Sequence, residues 1–200
     1  MHIFNSGDPL VWGKLDIPLL GITEDWSGRA LVPPLGFSLA TDPGQLWFVA
    51  TRQARASILP GASPGEFIPG LWKYDVAELF IADPEGNAYL EFNLAPNGAW
   101  WAAKFSSPRE LCEIQPDFQN HIRTYHDVED ADCWVAAVSI PLGFLREHIS
   151  FGVGSPANAT FILNSPDQTF HSATKLRGDT PDFHQPSKFP KTIPLKLPAI

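Results

Sequence analysis

Two glutamates, Glu78 and Glu91, lie in neighbouring segments whose composition is typical of β-strands. Residues 75–82 and 88–95 flank a turn-forming run at 83–87, so the spacing predicts a hairpin with both carboxyls on adjacent strands. Glycosidases cleave sugars with such a pair, one carboxyl acting as the acid and the other as the nucleophile. The pair can also hydrogen-bond a ligand or belong to a solvated sheet face. The glutamates alone leave these three interpretations open.

Tryptophans accompany this hairpin in the sequence. Trp72 stands where a long loop meets the first strand, and Trp100 and Trp101 are consecutive in a third predicted strand. Successive side chains of a strand point to opposite faces, so we expect one of these two rings to face the core and the other to face outward. An indole stacks on the apolar face of a sugar ring, whose hydroxyls need partners such as Glu91 and Asn93. Core packing is the alternative for each tryptophan.

Other signs of catalysis or cofactor binding are missing from the sequence. It contains no Gly-x-Ser-x-Gly elbow, phosphate-binding loop, dinucleotide fingerprint or His-Glu-x-x-His motif. His121 and His126 lie five apart on a predicted strand, where their side chains would face opposite ways and could not share a metal. Cys112 and Cys133 are interpreted as two reduced thiols, with a disulfide between them as the alternative. We therefore expect no metal and no cofactor.

The chain is acidic, with a formal net charge of -8 and no stripe of lysine or arginine. This charge disfavours phosphate backbones and anionic lipid surfaces, so we expect neither nucleic acid nor a membrane as partner. No run of 18 apolar residues occurs, and the first residues lack the basic and apolar regions of a signal peptide. A cytoplasmic location is the expectation. Association into a homo-oligomer is left open.

The elements around the glutamates form a predicted β-meander. The hairpin of residues 75–82 and 88–95 is followed by an Asn-Gly turn at 96–98 and a strand at 99–105. Alternation in the middle strand predicts two faces. Leu90, Phe92 and Leu94 should point into a core, and Tyr89, Glu91 and Asn93 should form a polar face.

The rest of the chain predicts further short strands between proline- and glycine-rich turns. These strands cover residues 35–40, 45–52, 121–128, 133–140, 151–154, 159–164 and 168–172, with a helical turn at 141–145. Twenty prolines and fifteen glycines exclude long helices. The fold class predicted is all-β, an antiparallel β-sandwich of the jelly-roll or immunoglobulin-like kind. One domain spans 1–200, with 1–34 as an N-terminal edge segment and 181–200 as a proline-rich tail packed on it without regular structure.

Three motifs in this order resemble those of the DOMON-like, family 9 type carbohydrate-binding modules. Residues 71–83 match the pattern of Trp, two residues, Asp, two residues, Glu, one residue, Phe and an Asp-rich turn. Residues 89–100 look like the strand pair that follows in bacterial DOMON-like proteins of unassigned function. Residues 181–189 are similar to the closing motif of the same group. The likeness covers about residues 35–195 and implies a β-sandwich whose family members clamp a sugar between two aromatic rings.

The resemblance also implies which residues of this chain would bind the sugar. Trp72 matches the first aromatic ring, and Phe183 stands where the family has a second tryptophan. Glu78 matches a family glutamate, whereas Glu91 stands where the family has an arginine on the next strand. His184 follows Phe183 within the closing motif. Trp101 is the candidate that would extend the stacking platform, with Trp100 as the alternative.

We therefore expect a non-catalytic module that binds a carbohydrate or a similar small polar ligand. The expected site comprises Trp72, Glu78, Glu91, Asn93, Trp101, Phe183 and His184. One alternative is a hydrolase or lyase that uses Glu78 and Glu91, and another is a structural or protein-interaction domain without a ligand pocket. Some DOMON relatives bind haem through Met and His, but Met1 is the only methionine here, so haem is not expected.

Overall fold

The computed structural model describes residues 1–130, 132–164, 167–176 and 178–197, and these residues form two packed β-sheets. Within them the first sheet has seven strands. Its strands are β1 (His2–Asn5), β2 (Leu20–Glu24), β3 (Ala30–Thr41), β4 (Gln45–Arg52), β9 (Arg123–Asp130), β10 (Cys133–Pro141) and β13 (Ile193–Lys196). Their order is β13-β1-β3-β4-β10-β9, with β2 paired to β3. β1 is parallel to both of its neighbours, so this sheet is mixed and not purely antiparallel.

The second sheet has six strands in the described part of the chain, and all its pairs are antiparallel. Its strands are β5 (Val76–Ala82), β6 (Tyr89–Leu94), β7 (Trp100–Ser107), β8 (Glu110–Leu111), β11 (Ala157–Asn164) and β12 (Gln168–Ser172). Their order is β12-β11-β5-β6-β7-β8. The predicted β-sandwich and the meander β5-β6-β7 are therefore confirmed.

The core lies between the two sheets and follows the alternation of the strands. In β6, Leu90, Phe92 and Leu94 pack in this core, as predicted. Two short helices, α1 (Phe118–His121) and α2 (Leu142–Ile149), add Phe118 and Phe144 to it. The predicted helical turn after Pro141 is thus the start of a longer helix.

The outer face of the second sheet is covered, which alternation did not predict. Loop residues 53–75 and the segments 173–176 and 178–190 lie over it and bury a second apolar cluster. This cluster includes Phe80, Tyr89, Phe105 and Phe183. Glu91 and Asn93 lie beneath the same cover and are almost completely buried, so the predicted polar face is not a solvated one.

The outer face of the first sheet is covered by the N-terminal segment between β1 and β2. Trp12 from this segment stacks on Tyr125, which in turn stacks on Trp47 at a ring distance of 5.3 Å. Asp42 ties the segment down by accepting hydrogen bonds from the Leu10 backbone and the Trp47 indole. Residues 1–34 thus supply two strands, the start of a third and a covering segment.

Three local predictions differ from the structure. Residues 151–154 were predicted as a strand, but Ser150 adopts a left-handed conformation and a turn closed by Ser155 and Gly152 follows. His121 ends α1 instead of sharing a strand with His126. The tail was expected to lack regular structure, yet β13 pairs along β1. The predicted acidic turn at 129–132 includes residue 131, outside the described residues.

Candidate ligand-binding site

An open pocket of about 430 Å³ lies on the outer face of the second sheet. β5, β6 and β7 form its floor, and its walls come from the short 3-10 turn at Leu71–Lys73, the β7–β8 hairpin and the start of the tail. We call it the aromatic pocket. It is lined by Trp72, Glu78, Phe80, Glu91, Trp101, Phe105, Arg109, Leu111, Ile162, Phe170, Pro181, Phe183 and His184. Six of the seven residues predicted for the site therefore converge on one cavity.

Asn93 is the predicted site residue that does not line the aromatic pocket. It is opposite Glu78 in the β5–β6 pairing and opposite Trp101 in the β6–β7 pairing, so it sits between two lining residues. Only 2% of its surface is exposed. A hydrogen bond from its side chain opposes the rise in the pKa of the Glu91 carboxyl, while its own Oδ1 has no hydrogen-bond partner among the described residues.

The two glutamates lie diagonally across the β5–β6 pair. Glu91 is opposite Phe80, two positions along from the pairing of Glu78 with Asn93. Burial raises the pKa of both carboxyls, because a charge is poorly solvated beneath the covering loops. The Glu91 charge raises the pKa of Glu78 further, while the Thr160 hydroxyl, which donates to Glu78 Oε2 over 2.8 Å, opposes the rise. At least one of these two carboxyls can therefore be protonated near neutral pH.

One oxygen of Glu91 has no hydrogen-bond partner among the described residues, although it is buried. This atom, Oε2, lies 3.8 Å from His184 Nε2, too far for a direct hydrogen bond. Burial and, to a smaller extent, the charge of Arg109 lower the pKa of His184 to about 4, so the imidazole is neutral at pH 7 and the two groups do not form an ion pair. A buried polar atom normally has a partner, so Oε2 is available to a ligand.

A hydrogen-bond chain fixes the orientation of His184. The Tyr89 hydroxyl accepts from the Arg109 backbone N–H at 3.1 Å and lies 2.6 Å from His184 Nδ1. Burial raises the pKa of Tyr89 to about 12, so its hydroxyl keeps its proton and can donate it to Nδ1. The remaining imidazole hydrogen then lies on Nε2, which points toward Glu91. The pocket thus offers a donor and an acceptor side by side.

The two rings predicted to clamp a ligand have unequal exposure. Trp72 is 50% exposed and projects from the 3-10 turn, which leaves its ring accessible. Phe183 is 6% exposed and lies in the second apolar cluster, with ring centroids 5.9 Å from Trp26 and 6.1 Å from Phe170. Phe183 is therefore mainly a fixed wall, while Trp72 presents the more exposed ring, over which Lys73 Nζ lies 5.4 Å from the ring centroid.

The prediction for the consecutive tryptophans is confirmed. Trp100 packs in the core between the sheets, and its indole donates to the Gly65 carbonyl at 3.2 Å. Trp101 points to the outer face, stays partly exposed and lines the aromatic pocket. The alternation of β7 also places Phe105 on the Trp101 side, where its ring stacks on Tyr89 at 4.8 Å.

Arg109 is the charged lining residue that sequence reasoning missed. It has a positive φ of 65° in the turn between β7 and β8, and its guanidinium donates to Asp182 Oδ1 at 2.9 Å. The family resemblance placed a cation on the strand that carries Glu91. In the structure the cation of the pocket is Arg109, from the turn between β7 and β8. No motif in the sequence around Arg109 predicts that it lines a pocket.

Neither a metal cluster nor a membrane-spanning helix is found in the described part of the chain. No group of three or more His, Cys, Asp or Glu side chains there is placed to hold a metal ion. No helix among the same residues is long and apolar enough to cross a membrane. Cys112 and Cys133 are free thiols, and Cys133 is exposed.

Comparisons with known sequences give a short match. A segment of 39 residues is 46% identical to the UPF0462 protein C4orf33 homolog of Danio rerio, and it spans 20% of either chain. No family model matches the sequence.

Comparisons with solved structures extend over nearly the whole chain. A candidate carbohydrate-binding protein from Bacteroides uniformis has a TM-score of 0.69 at 15% identity, with 98% of each chain covered. A family 9 carbohydrate-binding module from Caldicellulosiruptor kristjanssonii, solved with glucose, has a TM-score of 0.61 at 16% identity, covering 99% of this chain and 97% of the module. The structure solved with cellotriose gives 0.62 at 14% identity, covering 99% and 95%. The fold of this chain is that of the family 9 carbohydrate-binding modules.

Proposed function

We propose that the chain is a non-catalytic module that binds a carbohydrate in the aromatic pocket. The observation that carries this proposal is the convergence of the half-exposed Trp72 and the unpartnered Glu91 Oε2 on one open cavity. Its volume lies within the range of small-molecule sites. A ligand that fits must offer both an apolar face and several hydroxyls, and a sugar ring has both.

The polar groups suit a neutral, hydroxyl-rich ligand better than a charged one. Glu91 and Glu78 have raised pKa values and His184 has a lowered one, so the pocket floor carries less charge near neutral pH than two ordinary glutamates would. A hydroxyl placed between Glu91 Oε2 and His184 Nε2 would donate to the first and accept from the second. The hydroxyl oxygen would lie to one side of the 3.8 Å line that joins these two atoms, at about 2.8 Å from each, and would give Glu91 the partner that it lacks.

The solved structures support the same ligand class. Two of the structures that this chain resembles are family 9 modules in complex with glucose and cellotriose. The Trp72 ring and the outward Trp101 ring provide the apolar contacts that the faces of such sugars need. The presence of an open pocket also argues against a purely structural domain.

Hydrolysis by the glutamate pair is less well supported. Glycosidases place their two carboxyls in environments that push the pKa values apart, so that one is protonated while the other is ionised. Here burial raises the pKa of Glu78 and of Glu91 alike. Glu78 is also held by Thr160, which leaves Glu91 as the carboxyl with a free oxygen.

The proposal is tested by calorimetric titration of the chain with glucose, xylose and their β-1,4-linked oligosaccharides. Arg109→Ala removes a guanidinium that lines the pocket and should weaken binding by roughly tenfold, the value of one or two charge-assisted hydrogen bonds. Arg29→Ala is the matched control. Arg29 is likewise exposed and paired to an aspartate, Asp25, at 2.7 Å, but it does not line the pocket.

The proposal predicts saturable binding that Arg109→Ala weakens and Arg29→Ala leaves unchanged. Equal weakening by both variants would show that general surface charge, and not the pocket, carries the affinity. Absence of binding to every sugar tested would refute the proposal.

A further inference from the structure

Two smaller cavities lie next to the aromatic pocket along the edge of the second sheet. A cavity of about 290 Å³ shares Trp101 and Leu111 with the aromatic pocket. A third cavity of about 230 Å³ shares Phe67 and Gln119 with the second. The three therefore form one series, from Trp72 past Trp101 to Gln119.

Two segments that flank β7 build the walls of this extension. On one side, residues 112–119 run beside the strand, and the Gln115 amide accepts from Lys104 N–H and donates to the Lys104 carbonyl. On the other side, the long loop pairs with β7, since Ile68 N–H donates to the Trp100 carbonyl at 2.9 Å. Phe67 of this loop packs edge-on against Trp100 at 4.8 Å. Both walls are thus fixed by hydrogen bonds to β7.

The lining of the extension combines apolar surface with one polar side chain, Gln119, that has no hydrogen-bond partner among the described residues. Trp101 and Leu111 are partly exposed at the junction with the aromatic pocket. The Gln119 side chain is exposed on α1 and makes no hydrogen bond to any described residue. Asp117 and Arg123 bring opposite charges to the second and third cavities, so the extension has no excess of positive charge for a nucleic acid.

We propose that these cavities are further subsites for a linear oligosaccharide. One sugar unit occupies the aromatic pocket. The oligosaccharide then crosses the Trp101 ring, and its next sugar unit lies between residues 112–119 and Phe67. Gln119 then hydrogen-bonds this second unit. The inference rests on the proposed function and extends it, because it makes chain length a determinant of affinity.

The test is a calorimetric series with glucose, cellotriose and cellohexaose, and with xylose, xylotriose and xylohexaose. For the wild-type chain, the trisaccharide should bind about tenfold more tightly than the monosaccharide of the same series. Gln119→Ala should reduce trisaccharide affinity about fivefold and leave monosaccharide affinity unchanged. Gln119→Trp, which adds bulk between the second and third cavities, should abolish the gain with length.

Gln53→Ala is the matched control, since Gln53 is also exposed and makes no hydrogen bond to the described residues but lies after β4, outside the three cavities. If monosaccharide and trisaccharide bind the wild type equally, the extended site is refuted while the proposed function stands. The extended site is also refuted if both Gln119 variants keep the wild-type increase in affinity from monosaccharide to trisaccharide. Absence of binding in both series refutes the extension together with the proposed function.

Discussion

The Trp72 indole offers the clearest single perturbation of the aromatic pocket. Half of this residue is exposed, and a tryptophan side chain presents roughly 200 Å², so about 100 Å² is open to solvent. A sugar ring stacked on one face would cover about half of that area. At about 25 cal/mol per Å², Trp72→Ala should cost about 1.3 kcal/mol of binding free energy, or close to tenfold in Kd.

The assay is calorimetric titration with the tightest sugar of the panel, together with thermal unfolding of the free variant. Trp72→Ala should shift Tm by only a few degrees, because the ring is not part of either buried cluster. The control is Trp12→Ala, which makes the same change on the opposite sheet, where the ring stacks on Tyr125. An unchanged Kd for Trp72→Ala, or an equal loss for Trp12→Ala, would refute the stacking role.

Three further substitutions test how the floor and the walls of the pocket contribute to stability. Glu78→Gln should flatten the pH dependence of stability between about pH 5 and about pH 9, because wild-type stability falls as the pH rises through the raised pKa of this buried carboxyl. Phe183→Ala should lower the free energy of unfolding by about 3 kcal/mol or more, since the ring is buried in the second cluster. Tyr89→Phe should cost about 1–3 kcal/mol, because Arg109 N–H and His184 Nδ1 lose their partner.

Urea unfolding at each pH measures all three, with Tyr74→Phe as the control for the last. The Tyr74 hydroxyl makes no hydrogen bond to the described residues, so its loss should change stability by less than about 0.5 kcal/mol. A Glu78→Gln variant with the full wild-type pH dependence would contradict the buried, protonated floor. A stable Phe183→Ala variant would mean that the tail does not seal the second cluster.

The strands of the meander could be predicted because their signals are local. Alternation in residues 89–94 and the turn residues on either side determine which side chains share a face. The paired tryptophans at Trp100 and Trp101 follow from the same rule. Residues 151–154 misled the prediction, because their composition favours a strand while the left-handed Ser150 before them starts a turn.

The covering of the pocket could not be predicted, since it depends on contacts between distant segments. Alternation identifies Glu91 and Asn93 as outward residues, yet whether that face meets water depends on loop 53–75 and on the segments 173–176 and 178–190. Arg109 reaches the site through a turn 18 positions after Glu91 in the sequence. The motifs around Trp72 and Phe183 predicted one side of the pocket. The other side, formed by β8 and the turn before it, became visible only in the structure.

The most direct test of the central claim is a two-dimensional NMR titration that follows the tryptophan indole N–H signals as sugar is added. Trp72 and Trp101 line the aromatic pocket, whereas Trp47 and Trp134 are buried elsewhere. The account predicts that the Trp72 and Trp101 signals shift saturably with a common Kd while those of Trp47 and Trp134 stay fixed. Saturable binding that leaves the Trp72 and Trp101 signals in place would contradict it, and so would the absence of any shift with every sugar.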